Sequence, residues 1–269
     1  MVLWKAHGLG NDYLVLEEGR PLSPDLARRI CDRHRGPGGD GILEPADAGA
    51  CDHGVRIWNP DGSTAEKSGN GLRIYAWWLA RERGAGVDFT VWTQSERARC
   101  RVGADAVAVE MGRFRLDPRE IPLTSDGPWL DHVVGELAVT AVGMGNPHAV
   151  VWRDEPLDGL PWREWGAKLE IHPAFPNRTN VQVARRIDRS TVEIRIWERG
   201  AGETSASGSS ACGVAASGVA TGRLDRGEIR VIMPGGALAV TIGADDEVQL
   251  VGPVGVVGRF TLDPAWEAT

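Results

Sequence analysis

The sequence is poor in cysteine, in long apolar runs and in surplus positive charge, and each shortage excludes a class of function. Four cysteines, at positions 31, 51, 100 and 212, lie far apart with no C-x-x-C pair. No disulfide framework or thiolate zinc site is therefore expected, and a reduced, cytoplasmic protein fits best. The six histidines (7, 34, 53, 132, 148 and 172) show neither H-E-x-x-H nor Cys/His ligand spacing. A G-x-x-x-x-G-K-[ST] phosphate loop and a G-x-S-x-G nucleophile elbow are both missing, so any chemistry must come from side chains alone. There is no apolar run of ~18 residues, and Met1 to Gly10 has no signal-peptide core, so no membrane partner is expected. The formal net charge is −7, and basic stretches such as Arg28-Arg29 and Arg185-Arg186 are short and interrupted. A broad grip on nucleic acid needs clustered Lys and Arg, so that partner is not expected either.

What the chain has is enough apolar content for a core and an internal repeat. Hydrophobic residues make up 42% and charged residues 25% of 269 positions, the balance of a soluble globular protein of one large or two ordinary domains. Arg56-Ile57-Trp58 returns as Arg195-Ile196-Trp197, and twelve residues after each arginine stands a Ser-Gly pair, Ser68-Gly69 and Ser207-Gly208. Upstream, Gly8-Leu9-Gly10-Asn11 is echoed by Gly143-Met144-Gly145-Asn146. Downstream, the run from Arg113 to Pro118 is echoed by Arg259 to Pro264. Landmarks repeated in the same order point to duplication.

Each half then reads as one structural unit. Strand-like runs cover 55–58, 87–93 and 106–111, then 139–142, 149–152, 191–197, 229–233 and 238–242. After each Ser-Gly pair comes the only strong helical segment of its half, Leu72 to Arg83 and Ala211 to Thr221, with Gly222 as a stop. Both are apolar nearly all round, so both should be buried on every side. The expected fold is mixed α+β, with two pseudo-symmetric lobes, each a curved, mostly antiparallel sheet around a central helix. The expected division is 1–118 for the N-terminal lobe and 119–258 for the C-terminal lobe, with 259–269 returning to the first. The Pro-rich stretch Asp117 to Pro128 would be the crossover. The Gly-rich stretch Gly36 to Gly41 lacks the lysine of a nucleotide cradle and reads as a tight loop.

The helix starts are the functional feature. A helix N-terminus offers unpaired N–H groups and about half a positive charge, so it binds carboxylates. Gly69-Asn70-Gly71 and Gly208-Ser209-Ser210 let a ligand approach the backbone closely. If the pseudo-twofold brings the two starts together, one carboxylate is held by two dipoles with a serine on each side. Capping alone explains either serine taken singly. Their repetition raises them, together with Asn11, Asn59, Asn146 and Asn180 in Gly- or Pro-rich loops and strand ends, Asn146-Pro147-His148, and Glu198-Arg199-Gly200.

Read together, the blocks His7 to Asp12, Asn59 to Ser63 with Ser68 to Gly71, Gly145 to His148, and Glu198 to Thr204 resemble the signature blocks of the diaminopimelate epimerases, in order along essentially the whole chain. The resemblance implies two lobes of similar fold with the active site in the cleft, often a homodimer, a small amino acid as substrate and no cofactor. In that family one cysteine thiolate removes the α-proton and a second thiol protonates the opposite face. The resemblance assigns substrate binding to Asn11, Asn59, Asn146, Asn180 and Arg199, and the α-carboxylate to the N–H groups around Gly69-Asn70 and Gly208-Ser209. It places His148 and Glu198 beside the catalytic pair, and it puts the family's two cysteines at Ser68 and Ser207. Gly41 stands where members often carry a polar residue.

Serine changes the chemistry. A thiol has a pKa of ~8.5, lowered further at a helix start, whereas a serine hydroxyl is far less acidic. Serine donates a proton adequately but needs a neighbour, His148 or Glu198, before it acts as a base. Cys212 lies beyond Ser207 in the helix and reads as a small buried residue. Three readings stay open: an amino acid epimerase, a relative doing other carbanion chemistry such as isomerisation or dehydration, and a non-catalytic amino acid binder.

Overall fold

The computed structural model describes residues 1–268. Backbone packing divides the chain into two compact units, Met1–Val109 with the segment from Gly252 onward, and Glu110–Val251. The first unit opens with strands β1 (Val2–Gly8) and β2 (Asn11–Glu18), helix α1 (Pro24–Cys31), and strands β3 (Gly41–Pro45), β4 (His53–Trp58) and β5 (Thr64–Ala65). Helix α2 (Gly69–Glu82) follows, then β6 (Asp88–Trp92), β7 (Arg97–Val102) and β8 (Val107–Arg113), whose residues from Glu110 onward are counted with the second unit. The second unit carries β9 (His132–Val134), β10 (Leu137–Gly143), β11 (Pro147–Arg153), α3 (Trp162–Glu170), β12 (Asn180–Arg186), β13 (Thr191–Glu198) and β14 (Gly202–Thr204). It continues with α4 (Gly208–Ala220), β15 (Gly227–Met233), β16 (Gly236–Ile242) and β17 (Glu247–Gly252). The chain then adds β18 (Gly255–Thr261) and α5 (Pro264–Ala268) to the first unit.

Sheet pairing makes the duplication explicit. In the first unit β1 pairs β2 antiparallel, β2 pairs β3 parallel across α1, β3 pairs β4 antiparallel, and β4 pairs both β5 and, in parallel, β6. Strands β6, β7 and β8 then run as an antiparallel meander. The second unit repeats every step. Strands β10 and β11 are antiparallel, β11 and β12 parallel across α3, and β12 and β13 antiparallel; β13 takes both β14 and, in parallel, β15, and an antiparallel meander ends on β17. Each parallel step contains a helix because a parallel pair needs a long crossover. One extra strand extends each sheet beside its first strand, β18 on β1 and β9 on β10.

Strand alternation assigns the two faces of each sheet. Leu3, Leu14, Leu16 and Ile42 pack with Leu26, Ala27 and Ile30 of α1, while the opposite face of β1, β2 and β7 meets α2. Helix α2 buries Leu72, Ile74, Tyr75, Trp78 and Leu79, each contributing roughly 1.5–3 kcal/mol of transfer free energy. In the second unit Trp162, Trp165 and Leu169 of α3 cover Val139, Val151, Val181 and Val183, and α4 packs against β10, β11, β12, β15 and β16. Because α4 is built of Gly, Ala, Ser, Cys and Val, backbone and ring groups approach it closely.

Two expectations need correction. Helices α1 and α3 accompany α2 and α4, so the segments after the Ser-Gly pairs are not the only helices of their halves. At 8 and 9 residues they are too short for a secure helical period, although Ser23-Pro24 is a good start signal: Ser23 accepts the Leu26 N–H. The Pro-rich stretch from Asp117 to Pro128 belongs to the second unit rather than bridging to it. Ile121 and Leu123 are buried in that unit's outer core, and their burial ties the segment down.

Candidate active site

Each unit contributes a set of polar residues around one helix start. In the first, Ser68 caps α2 with extended backbone, and its Oγ accepts the Gly71 N–H at 3.0 Å. The same oxygen lies 3.0 Å from the hydroxyl of Tyr13. Asn70, inside the first turn, donates to Asn11 Oδ1 at 3.0 Å and accepts from the fully buried Arg73 at 2.8 Å. Asn11 in turn donates to Asp40 at 2.9 Å. Gly8 is required for this arrangement, since a Cβ there would lie 2.7 Å from the Arg73 guanidinium. Arg33 bridges Asp40 and Asp12, and Lys5 also pairs with Asp12. Burial pushes the Asp12 carboxyl up, but Arg33 and Lys5 outweigh it and hold the group below its ordinary range. Asn59 sits apart from this chain of contacts; its amide donates to Ser63 Oγ at 3.0 Å and closes a turn.

In the second unit Ser207 caps α4, its Oγ accepting the Ser210 N–H at 3.5 Å and donating to Glu198 Oε2 at 3.2 Å. Glu198 ends β13 and opens a turn in which Gly200 and Gly202 both take positive φ. Glu170 fastens that turn by accepting the Gly200 N–H at 2.9 Å. Asn180 accepts the Arg199 N–H at 3.0 Å and donates to the Pro147 carbonyl at 3.1 Å. The Arg199 side chain is exposed and reaches the Asn177 carbonyl at 3.2 Å.

His148, expected beside the serine as a proton acceptor, is placed differently. It is fully buried, its Nε2 is 2.8 Å from Asn146 Oδ1, and its Nδ1 is 3.1 Å from Gln182 Nε2. Gln182 also donates to Ser210 Oγ at 2.9 Å. With Nδ1 accepting, the ring carries its proton on Nε2 and donates to Asn146. Burial, with the nearby Arg199 charge adding to it, pushes the imidazole down to about 3. A neutral, doubly engaged ring positions Asn146 and α4 but does not accept a serine proton. Gly213 makes the packing feasible, since a Cβ there would stand 2.9 Å from the ring.

Tyr13, Gln182, Asp40, Arg73 and Glu170 escaped sequence reasoning, and Ser210 entered it only as part of the small-residue start of α4. Only Tyr13 left a usable signal. Extending the glycine-loop echo by two residues sets Tyr13 against His148; Tyr13 reaches the cap of α2, whereas His148 packs on Gly213 inside α4. Among the described residues no group of three or more His, Cys, Asp or Glu is arranged to hold a metal ion.

The diaminopimelate epimerase family model matches residues 3–116 and 140–257. The chain belongs to the diaminopimelate epimerase family. A diaminopimelate epimerase of Desulforudis audaxviator is 42% identical over 269 residues, covering 94% of this chain and 96% of the relative. One from Azotobacter vinelandii is 40% identical over 261 residues, covering 93% and 94%. Among solved structures, a phenazine biosynthesis protein of the PhzF family from Bacillus anthracis superposes with a TM-score of 0.68 at 14% identity, covering 98% of this chain and 99% of that one. A probable proline racemase from Agrobacterium radiobacter gives 0.68 at 16% identity, covering 98% and 93%. These two likenesses concern the fold, which this diaminopimelate epimerase family member shares with them.

Proposed function

We propose that this chain is a cofactor-independent amino acid epimerase that inverts the α-carbon of diaminopimelate, with Ser68 and Ser207 as the two proton-transfer groups. The observation that carries the reading is the repeated helix start. In each unit a serine caps a buried helix whose first turn is built of small residues, and its hydroxyl is hydrogen-bonded to a second group able to give or take a proton. The N–H groups around Gly69-Asn70 and Gly208-Ser209 take the α-carboxylate. Asn11, Asn59, Asn146, Asn180 and Arg199 bind the rest of the substrate. Glu198 takes the Ser207 proton, and His148 has the positioning role its burial dictates. The reading includes a homodimer in the cytoplasm with neither nucleic acid nor membrane as partner. The net charge of −7 supports the nucleic-acid part of it, and no helix among the described residues is long and apolar enough to cross a bilayer.

The test is exchange of the substrate α-proton in deuterium oxide, with the stereoisomers separated afterwards. Wild-type protein is expected to incorporate deuterium into diaminopimelate with inversion. Ser68→Ala and Ser207→Ala should each lose about 10²–10⁴-fold in rate for a capping cost near 1 kcal/mol. No exchange in any carboxylated amino acid removes the reading. The Ser207–Glu198 contact favours one second reading, other carbanion chemistry with the carboxylate as base, and its mark is exchange without inversion.

A further inference from the structure

We infer that Tyr13 is a positioning residue that makes Ser68 the proton-donating member of the pair. The inference rests on the epimerase reading for its chemistry and on the contacts within each unit, taken separately, for its geometry. Ser68 Oγ accepts the Gly71 N–H at 3.0 Å and lies 3.0 Å from the Tyr13 hydroxyl. A phenol is the stronger acid of the two hydroxyls, so Tyr13 donates and Ser68 is left with its own proton to give. Ser207 is set the other way. Its proton points at Glu198 Oε2, so a lone pair is what it offers.

Tyr13 is held where it is by a matched glycine. Its ring lies over Gly41, its parallel-strand partner, and a Cβ at 41 would stand 2.6 Å from Tyr13 Cε1 and 2.6 Å from the Trp58 carbonyl oxygen. Tyr13 is 7% exposed, so the phenol competes little with water for Ser68. Other charged groups on the surrounding elements are engaged: Asp12 with Lys5 and Arg33, Asp40 with Arg33, Lys67 with Glu96, and Arg73 with Asn70.

The proton account closes. The substrate C–H bond breaks, its proton goes to Ser207 Oγ, and the proton Ser207 already carried passes to the Glu198 carboxylate. The carbanion's electron pair forms a new C–H bond with the Ser68 proton. Tyr13 passes its proton to Ser68 Oγ and keeps the charge as a phenolate, a weaker base than a serine alkoxide. Solvent returns a proton from Glu198 to Tyr13 before the next turnover.

Thiol titration at the two positions tests this without relying on turnover. In the Ser68→Cys protein, adding Tyr13→Phe removes a donor to the sulfur, and the thiolate fraction at fixed pH should fall several-fold. In the Ser207→Cys protein, adding Glu198→Gln removes a negative neighbour, and the thiolate fraction should rise. Global replacement of the two tyrosines by fluorotyrosine keeps their shape, makes the phenol more acidic and should raise the thiolate fraction at position 68. A thiol at 68 that ignores both Tyr13→Phe and fluorotyrosine overturns the inference. In the serine protein Tyr13→Phe should lower exchange about 10–100-fold, mainly in kcat and with loss of the alkaline limb of the pH profile. In the Ser68→Cys background it should cost much less. Wild-type protein that exchanges no α-proton would sink the epimerase reading, while the thiol titration would still decide the role of Tyr13.

Discussion

Trp197 donates its indole N–H to Glu170 Oε2 across 2.7 Å, and the second Glu170 oxygen accepts the Gly200 N–H that anchors the turn carrying Glu198 and Arg199. The first unit has its own version, Trp58 to Glu44 at 2.9 Å. Glu170→Ala leaves the Trp197 and Gly200 donors without their acceptor, at about 1–3 kcal/mol each, and releases the exposed Arg178 to solvent. A matching fall in the denaturation midpoint is expected, together with weaker substrate binding through the loosened turn. Chemical unfolding and calorimetry read the two effects separately. Unchanged stability would mean that water replaces the carboxylate.

His148 and Glu170 both make stability depend on acid, in windows that overlap below pH 4.5. The imidazole is pushed from 6.5 down to about 3 by burial, so below pH 6.5 the unfolded chain binds a proton that the folded one refuses. Stability is complete above 6.5 and falls as pH drops, by at most about 1.4 kcal/mol per unit. For Glu170, burial pushes the carboxyl up but the Trp197, Gly200 and Arg178 contacts outweigh it and hold it low. Its contribution is present above the unfolded value of 4.5 and is lost as pH falls below that. The expected result is a slope between pH 6.5 and 4.5 that His148→Gln flattens, measured by denaturant midpoints. The activity profile should carry no limb from His148 near neutrality.

Gly41→Ala should destabilise the protein by about 1–3 kcal/mol, the usual cost of overpacking. One of the two atoms a Cβ would strike is the backbone oxygen of Trp58, which cannot rotate away, and the other belongs to the Tyr13 ring. Displacing the ring should also lower proton exchange, as Tyr13→Phe does. Combining Gly41→Ala with Tyr13→Phe should therefore reduce exchange little beyond either single change. Additive losses would show that the glycine serves packing alone.

Much of the fold was legible because duplication writes the same physics twice. The Arg-Ile-Trp strands and the Ser-Gly caps marked β4, β13, α2 and α4 directly, since period, capping and apolar burial are local properties. Contacts made across the sheet were not legible. Glu44 and Glu170 look like ordinary surface acids until the chain brings Trp58 and Trp197 to them. His148 looked like a reactive ring because nothing local announces that Asn146, Gln182 and Gly213 enclose it. Tyr13 lies in a strand that the sequence reading leaves out, and its contact with Ser68 exists only once β2 is set against the start of α2.

The antiparallel pairing of β18 with β1, from Val2 opposite Thr261 to His7 opposite Gly255 with a shift of register between Lys5 and Ala6, bears on how the chain is made. Translation delivers β1 early and its outer partner only after the whole of residues 110–251 has been synthesised. The second unit, continuous in sequence, is free to fold on the ribosome while the first still shows an open strand edge, the kind of edge that recruits other chains. Crowded expression should therefore hurt the first unit before the second, and slower translation or a chaperone that shields that edge should raise the soluble yield.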